Sequence, residues 1–539
     1  MSEQSSSPRT TTTGQAQLSH RQVLVVFSGL MLGMLLASLD QTIVATALPT
    51  IVGELGGLQH LSWIITAYLL TSTASMPLYG KLSDLFGRKL LFQFAIVVFL
   101  VGSALSGAAH SMLELIGSRA VQGLGAGGII TMSQATIGDI VSPRDRGRYQ
   151  GYMGTVFAVA AVGGPLLGGF FTDHLTWRWV FYINLPLGLL ALVVTQTVLR
   201  LPFQRQKHSI DYLGSALMVG GLTSLLLVTS WGGTEFPWWS LQIVGLSVLG
   251  VLLLCLFVVQ ETRAPEPLLP LRLFGEQVFR VGAVIMFVLG LAMFGAVAFL
   301  PLYFQVVDGV SATMSGLRLA PLMLGVVATS VLAGQVISRT GKYRFFPIVG
   351  TAITTLGLFL LSRLSTGSGF LEESVYMGVL GVGLGMIMQV IVLAVQNAVP
   401  YRDLGAATAG ANLFRSLGAA FGVAICGSIL NNRLDYNLPR LVPNAALNGI
   451  SRAALTASPA QLRTLPAPVL HGVVEAFARS LDTVFLWAVP VVFVSFLASW
   501  LLREIPLREH AHVGARTAQP ELSVATDPIE GPERLNPPI

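Results

Sequence analysis

Asp40 lies inside an apolar run from Val23 to Leu48, in the stretch Leu39 to Pro49 that reads LDQTIVATALP. An apolar segment of about 20 residues is long enough to cross a bilayer. An Asp near the centre of such a helix costs roughly 2.5–3.5 kcal/mol on insertion scales. A chain that keeps one uses it for a proton, an ion or a substrate, or pairs it with a countercharge. The matching cation is Arg119, inside LIGSRAVQGLGAGG. Asp40 stands eight residues from the Leu48 end of its run, and Arg119 seven residues into a run that starts at Met112. At 1.5 Å per residue, both lie roughly 10–12 Å below the same surface. Equal depth allows a pair or a water-bridged network. Desolvation disfavours the charged carboxyl and a nearby guanidinium favours it, a competition suited to a group that exchanges protons.

Three further patterns carry chemistry. Gly80, Asp84, Gly87 and Arg88 share the short stretch GKLSDLFGRK between two apolar runs. The glycines permit a tight turn and close helix approach. Asp84 and Arg88 are four apart and would pair on a helix, with Asp139 a further partner. The run Gly151-x8-Ala160-x3-Gly164-Pro165-x2-Gly168-Gly169 places small residues at helical spacing, which lets helices approach closely. Gln122, Gln389, Asn412 and Arg415 are polar side chains inside apolar runs, and Met293 and Tyr303, with Trp63, Tyr68, Phe294 and Met386, could complete an adaptable apolar cavity. For each of these alone, packing competes with a cavity role. Arg415 either lines the cavity or snorkels to the surface.

The elements that must position these groups are membrane spans. The 539 residues are 53% hydrophobic and 11% charged, against about 25% charged in a soluble domain. Fourteen apolar runs are expected, at about 23–48, 59–79, 90–109, 112–138, 150–171, 179–199, 210–230, 241–260, 279–305, 314–337, 346–363, 374–397, 407–430 and 481–502. Arg and Lys concentrate in the gaps after even-numbered runs. That places those gaps, and both termini, on the cytoplasmic side of the inner membrane. The net charge of +6 therefore reads as a topology signal and not as a nucleic-acid surface. Cys255 and Cys426 both lie in apolar runs and form no disulfide framework. The polar tails 1–22 and 505–539 are expected to be disordered. Between them lie a six-span bundle (23–200), an inserted pair (201–278) and a second six-span bundle (279–504). The second bundle includes a long outer loop, 431–480, in which Ser458-Pro459 and Pro468 could each start a short surface helix. A weak repeat, GKLSDLFGR at 80–88 against GQVISRTGK at 334–342, with further echoes downstream, relates the two bundles. Parallel halves around a midplane cavity suit alternating access. The chain shows no G-x4-G-K-[ST] loop for a nucleotide, no metal cluster and no nucleophile–base set, so no cofactor and no enzymatic activity are expected.

The whole set of motifs resembles the major facilitator superfamily, and LDQTIVATALP with WRWVFYINLP (177–186) is similar to its fourteen-span drug:proton antiporter subfamily, the EmrB/QacA-like proteins. The resemblance covers nearly all of 23–502. It implies an all-α major facilitator fold and export of small hydrophobic, in some cases cationic, compounds driven by the proton gradient, by a monomer in the lipid bilayer. It implies proton coupling at Asp40 and Arg119. It also implies a latch of the outward-open state at Gly80, Asp84, Gly87, Arg88 and Asp139, present only in the first half because Ser338 replaces the acid in the second. The pattern Gly151, Gly164, Pro165, Gly168, Gly169 resembles the exporter motif, with Ala160 where glycine is usual. An endogenous lipid, siderophore or peptide-like metabolite is the alternative cargo, and a non-transporting sensor the alternative class.

Overall fold

The computed structural model of the chain describes residues 20–55, 61–198, 211–233, 236–265, 267–297, 299–442 and 466–507. Its elements are helical. The first half comprises α1 (His20–Leu55), α2 (Leu61–Phe86), α3 (Arg88–Ala108), α4 (Met112–Ile140), α5 (Pro143–His174), and the short α6 (Trp179–Tyr182) followed by α7 (Asn184–Val198). An intervening pair is α8 (Tyr212–Trp231) and α9 (Leu241–Arg263). The second half comprises α10 (Gln277–Val297), α11 (Leu300–Val306), α12 (Ala312–Arg318), α13 (Ala320–Thr340), α14 (Phe345–Leu361), α15 (Phe370–Ala398), α16 (Leu404–Leu441) and α17 (Ala467–Ser499). Among the described residues, ten helical stretches are long and apolar enough to cross a membrane, and two shorter apolar helices accompany them.

Local chemistry explains the helix ends. Ser111 caps α4 by accepting from the Glu114 amide, and Ser142 caps α5 by accepting from the Asp145 amide. At the other end of α4, Arg146 donates to the carbonyls of Val141 and Gly138, satisfying acceptors that the helix leaves open. The break between α2 and α3 falls on Gly87, at φ 93°, a conformation that side chains disfavour. Three expected single spans are each split in two. Pro301 and Pro321 start α11 and α13, where a missing N–H is harmless, and the third break, between α6 and α7, falls at Ile183.

Buried apolar side chains form separate clusters in the two halves. One runs through α1–α5 and α7; the other runs through the second half and takes in Met218, Leu222 and Phe257 of the inserted pair. The halves meet where glycines remove side chains. A Cβ at Gly334 on α13 would lie 2.0 Å from the Gly147 carbonyl of α5, and one at Gly80 on α2 would lie 2.6 Å from the Ala409 Cβ of α16.

Two expectations need correction. The segment 431–480 is not a loop throughout, because α16 continues to Leu441 and α17 begins at Ala467. Pro468 opens that long helix rather than a surface one, and Ser458-Pro459 lies outside the described residues. The chain after α17 is also docked through Pro506 rather than free from residue 505. The Tyr343 hydroxyl donates to the Arg503 carbonyl and accepts from the Ile505 amide, and Asn397 donates to the Ile505 carbonyl. Polar composition alone suggested a tail, whereas buried Tyr343, just before α14, and Asn397 on α15 hold it.

Candidate functional site

Asp40 is fully buried, at 0% exposure, and both carboxylate oxygens are engaged. Oδ2 accepts from Arg119 Nη1 at 2.6 Å. Oδ1 accepts from Gln122 Nε2 at 2.8 Å and from Asn184 Nδ2 at 2.9 Å. Arg119 is 2% exposed. Its Nη1 also donates to Gln122 Oε1 at 2.7 Å, and its guanidinium lies 4.2 Å from the Tyr68 ring centroid. The Tyr68 hydroxyl donates to the Ala37 carbonyl, one turn before Asp40. Hydrogen bonds to an ionised group are stronger than neutral ones, so this cluster holds a carboxylate in a place where a lone one would be strongly disfavoured.

Glycines let α4 carry these groups to α1. A Cβ at Gly123 would lie 2.4 Å from the Tyr68 carbonyl of α2, and one at Gly125 would lie 2.4 Å from the Phe99 amide of α3. The sequence GLGAGG thus seats α4 against two neighbours at once, fixing the depth of Arg119 and Gln122. The segment 177–186 locks the third side. Trp177 and Arg178 donate to Glu54 at the far end of α1, and these hydrogen bonds hold its carboxyl below the usual glutamate range. Ser103 donates to the Phe181 carbonyl and accepts from Asn184.

The small-residue pattern of α5 serves two contacts. Gly164 meets α1, where a Cβ would lie 2.1 Å from Thr42 Oγ1, and that hydroxyl donates to the Ala160 carbonyl at 2.7 Å. Gly151 meets the second half, where a Cβ would lie 2.6 Å from the Ser330 carbonyl. One helix therefore touches the turn next to Asp40 and the seam between halves. Gly168 is buried and Gly169 half-buried within α5. Pro165 is helical, with its side chain outside the described residues.

At the end of the bundle bearing the basic loops, Arg88 Nε donates to Asp139 Oδ2 at 2.8 Å, and Nη1 to Ser83. The helical i,i+4 geometry expected for Asp84 and Arg88 does not arise, because Gly87 ends α2 between them. The Asp84 side chain lies outside the described residues. The second half closes the same end differently, with Asp403 accepting from Arg272 at 2.7 and 3.1 Å.

The residues expected around a cavity do not form one group. Gln122 belongs to the Asp40 cluster. Tyr303 is fully buried and its hydroxyl donates to the Ser365 carbonyl, so it packs within the second half. Met293 packs against the second-half core. Asn412 joins the halves, donating to Gln134 Oε1 of α4 at 2.7 Å, and Gln396 donates to the Gln134 carbonyl beside it. Gln389 faces α5 at Gly154, and Arg415 faces Phe157 of α5.

The sequence profile of the Major Facilitator Superfamily matches residues 30–423. The chain belongs to this superfamily. It is a multi-pass membrane transporter and not an enzyme. An uncharacterized MFS-type transporter of Mycobacterium tuberculosis is 44% identical over 485 residues, covering 90% of this chain and 70% of the relative. The multidrug transporter protein MdtP of Bacillus subtilis is 38% identical over 430 residues, covering 80% and 79%. Among solved structures, the human organic anion transporter MFSD10 aligns with a TM-score of 0.60 over 90% of this chain and 100% of its own, at 15% identity. That likeness shows the shared superfamily fold.

In this superfamily member, sequence reasoning missed Asn184 and Ser103. Asn184 had a signal: it is a polar side chain two residues before a proline in the apolar run VFYINLP, at a helix start where a side chain can turn inward. Ser103 had none, since serines are common in apolar spans and its role depends on where Phe181 falls.

Proposed function

We propose that this transporter is a proton-coupled exporter of small hydrophobic compounds across the cytoplasmic membrane, with Asp40 as the proton site. The observation that carries the reading is the sealed Asp40 cluster. A carboxylate at 0% exposure with three donors exchanges a proton only when the surrounding helices move. A transporter that couples without leaking needs that property. Protonation removes the charge that orders Arg119, Gln122 and Asn184. Arg119 keeps the Gln122 oxygen and the Tyr68 ring as partners, so it stays in place while its hold on α1 weakens. Because α5 packs on Thr42 and on α13, the change at α1 reaches the seam between the halves.

Fourteen spans fit this reading. Among the described residues, the ten apolar stretches, the two shorter helices and the long helices α2 and α4 would together supply fourteen. Charges and polar residues lower the apparent hydropathy of α2 and α4. In this reading the end closed by Arg88–Asp139 and Gln134–Asn412, which bears the basic loops, is cytoplasmic, as are both termini, and the arrangement is outward-facing. Each chain carries both halves, so a monomer suffices. Relatives named as multidrug transporters or efflux pumps support drug efflux. A relative named for the acurin A biosynthesis cluster, 35% identical over 502 residues, favours an endogenous metabolite as the second reading.

The test is a panel of hydrophobic dyes and antibiotics in proteoliposomes under an imposed pH gradient. Gradient-driven accumulation of at least one compound, with proton movement in the opposite direction, is the expected result. Transport that ignores the gradient would remove the coupling, and metabolite profiling of a deletion strain separates the two cargo classes.

A further inference from the structure

Two buried arginines, Arg119 and Arg415, lie beyond the first and last turns of membrane-length helices. Arg119 is matched by Asp40. Arg415, eleven residues into α16, is 8% exposed, and among the described residues no acceptor or carboxylate reaches it; its recorded neighbour is the Phe157 ring of α5, 5.9 Å from the guanidinium carbon. Buried charges in membrane spans are normally paired or face a pathway. Among the described residues, no acid in the surrounding helices is available to it. On α2, α4, α5 and α15 every Asp or Glu stands within the first or last four residues, and α10 and α13 have none. The mid-helix Asp40 has both oxygens occupied. Asp482 on α17 sits two residues from Ser480, which accepts from Asn437, 22 residues farther along α16.

Arg415 also stands where the buried part of the seam thins out. The face of α16 turned toward the first half runs through Gly405, Asn412, Ser416, Ala419 and Val423, by helical periodicity. Gly405 and Asn412 are buried against α2 and α4. Ser416 is half-buried and still donates to Met76 Sδ of α2, Ala419 is half-buried, and Val423 is 41% exposed. The guanidinium is therefore at the level where burial along this face begins to decline. Half-buried Phe157 supplies an apolar wall, and Gln389, beside Gly154, a buried amide oxygen that has no partner among the described residues.

We propose that Arg415 is an anion-recognition residue of the transport pathway, taking the carboxylate or sulfonate of an amphipathic organic anion whose apolar body lies against α5. This rests on the export reading for its consequence, although the binding itself does not. A monoanion supplies the countercharge that the protein withholds, and the planar guanidinium fork suits a carboxylate. A cation at the same place meets an unneutralised positive charge, so the pathway discriminates against cationic cargo.

The experiment compares one fluorophore carrying three head groups: pyrenebutanoate, pyrenebutanol and pyrenebutyl-trimethylammonium. Binding is measured by fluorescence to wild type, Arg415→Gln and Arg415→Lys in lipid nanodiscs, with empty nanodiscs subtracted. Wild type is expected to favour the carboxylate over the ammonium by about tenfold or more. Arg415→Gln loses the preference with pyrenebutanol binding unchanged, and Arg415→Lys keeps part of it. Equal affinities in wild type, no binding of pyrenebutanoate, or a preference that survives Arg415→Gln each overturns the proposal. The wild-type comparison stands even if a variant fails to fold. Gradient-driven transport in proteoliposomes separates the two claims. Anion preference without transport leaves the Arg415 site and removes the export reading; transport of pyrenebutanol without anion preference does the reverse.

Discussion

Gly334 gives the sharpest test of the seam. In the structure a Cβ there would lie 2.0 Å from the Gly147 carbonyl oxygen and 3.2 Å from the Arg148 Cα, where ordinary contact begins near 3.4 Å. Both neighbours are backbone, so no rotamer change relieves the clash. The halves must separate locally by about 1.4 Å. Overpacking of this kind typically costs roughly 1–3 kcal/mol. Gly334 packs between halves and not within one, so Gly334→Ala charges that cost to the closed arrangement alone. At 1.4 kcal/mol per tenfold, the closed population falls by roughly 5- to 150-fold against the alternative. The assay is thiol labelling of a cysteine placed at Thr408, which is fully buried in the closed seam, in a background lacking Cys255 and Cys426. Gly334→Ala should raise the labelling rate by about tenfold, with the melting temperature nearly unchanged. Gly125→Ala is the contrasting control. Its Cβ would meet the Phe99 amide at 2.4 Å inside one half, so it should lower the melting temperature without exposing Thr408. Unchanged labelling in Gly334→Ala, with lost stability, would refute the assignment of this contact to a separable interface.

Three further outcomes are expected. Arg119→Ala leaves the Asp40 carboxylate buried without its cation and should cost roughly 3–5 kcal/mol, read as a lower melting temperature in detergent; Asp40→Asn combined with Arg119→Gln should recover most of it without recovering transport. Asn184→Ala removes one of two donors on Asp40 Oδ1 and should alter the pH dependence of transport while the protein stays folded; an unchanged profile would make Asn184 a packing residue. Glu54 is held below its ordinary value of 4.5 mainly by Arg178. Its contribution to stability is therefore present above pH 4.5 and lost as the pH falls through the depressed value. Glu54→Gln should be destabilising near neutrality and neutral in strong acid; because Glu54 is exposed, the effect is small, and a pH-independent difference would rule out the ion pair.

The sequence makes the Asp40–Arg119 pair visible because each is an isolated charge in an apolar run, and helical rise turns position into depth. It makes the glycine contacts visible only as a pattern. That Gly123 and Gly125 serve different neighbours, and that α5 reaches both Thr42 and Ser330, depends on helix rotation, which apolar runs do not specify. Tyr303 illustrates the limit in the other direction: an aromatic side chain at a plausible depth packs inside one half because its hydroxyl finds the Ser365 carbonyl. The extension of α16 to Leu441 was hidden by polar residues such as Asn431, Asn432 and Arg433, which lower hydropathy without breaking a helix.

The most direct test of the central claim is Asp40→Asn in proteoliposomes, measured in two modes. Asparagine keeps the size of the side chain and an acceptor for Arg119 but cannot gain or lose a proton. The account predicts that accumulation driven by a pH gradient disappears while exchange of labelled for unlabelled substrate, with no gradient, continues. Undiminished gradient-driven accumulation in Asp40→Asn would contradict it.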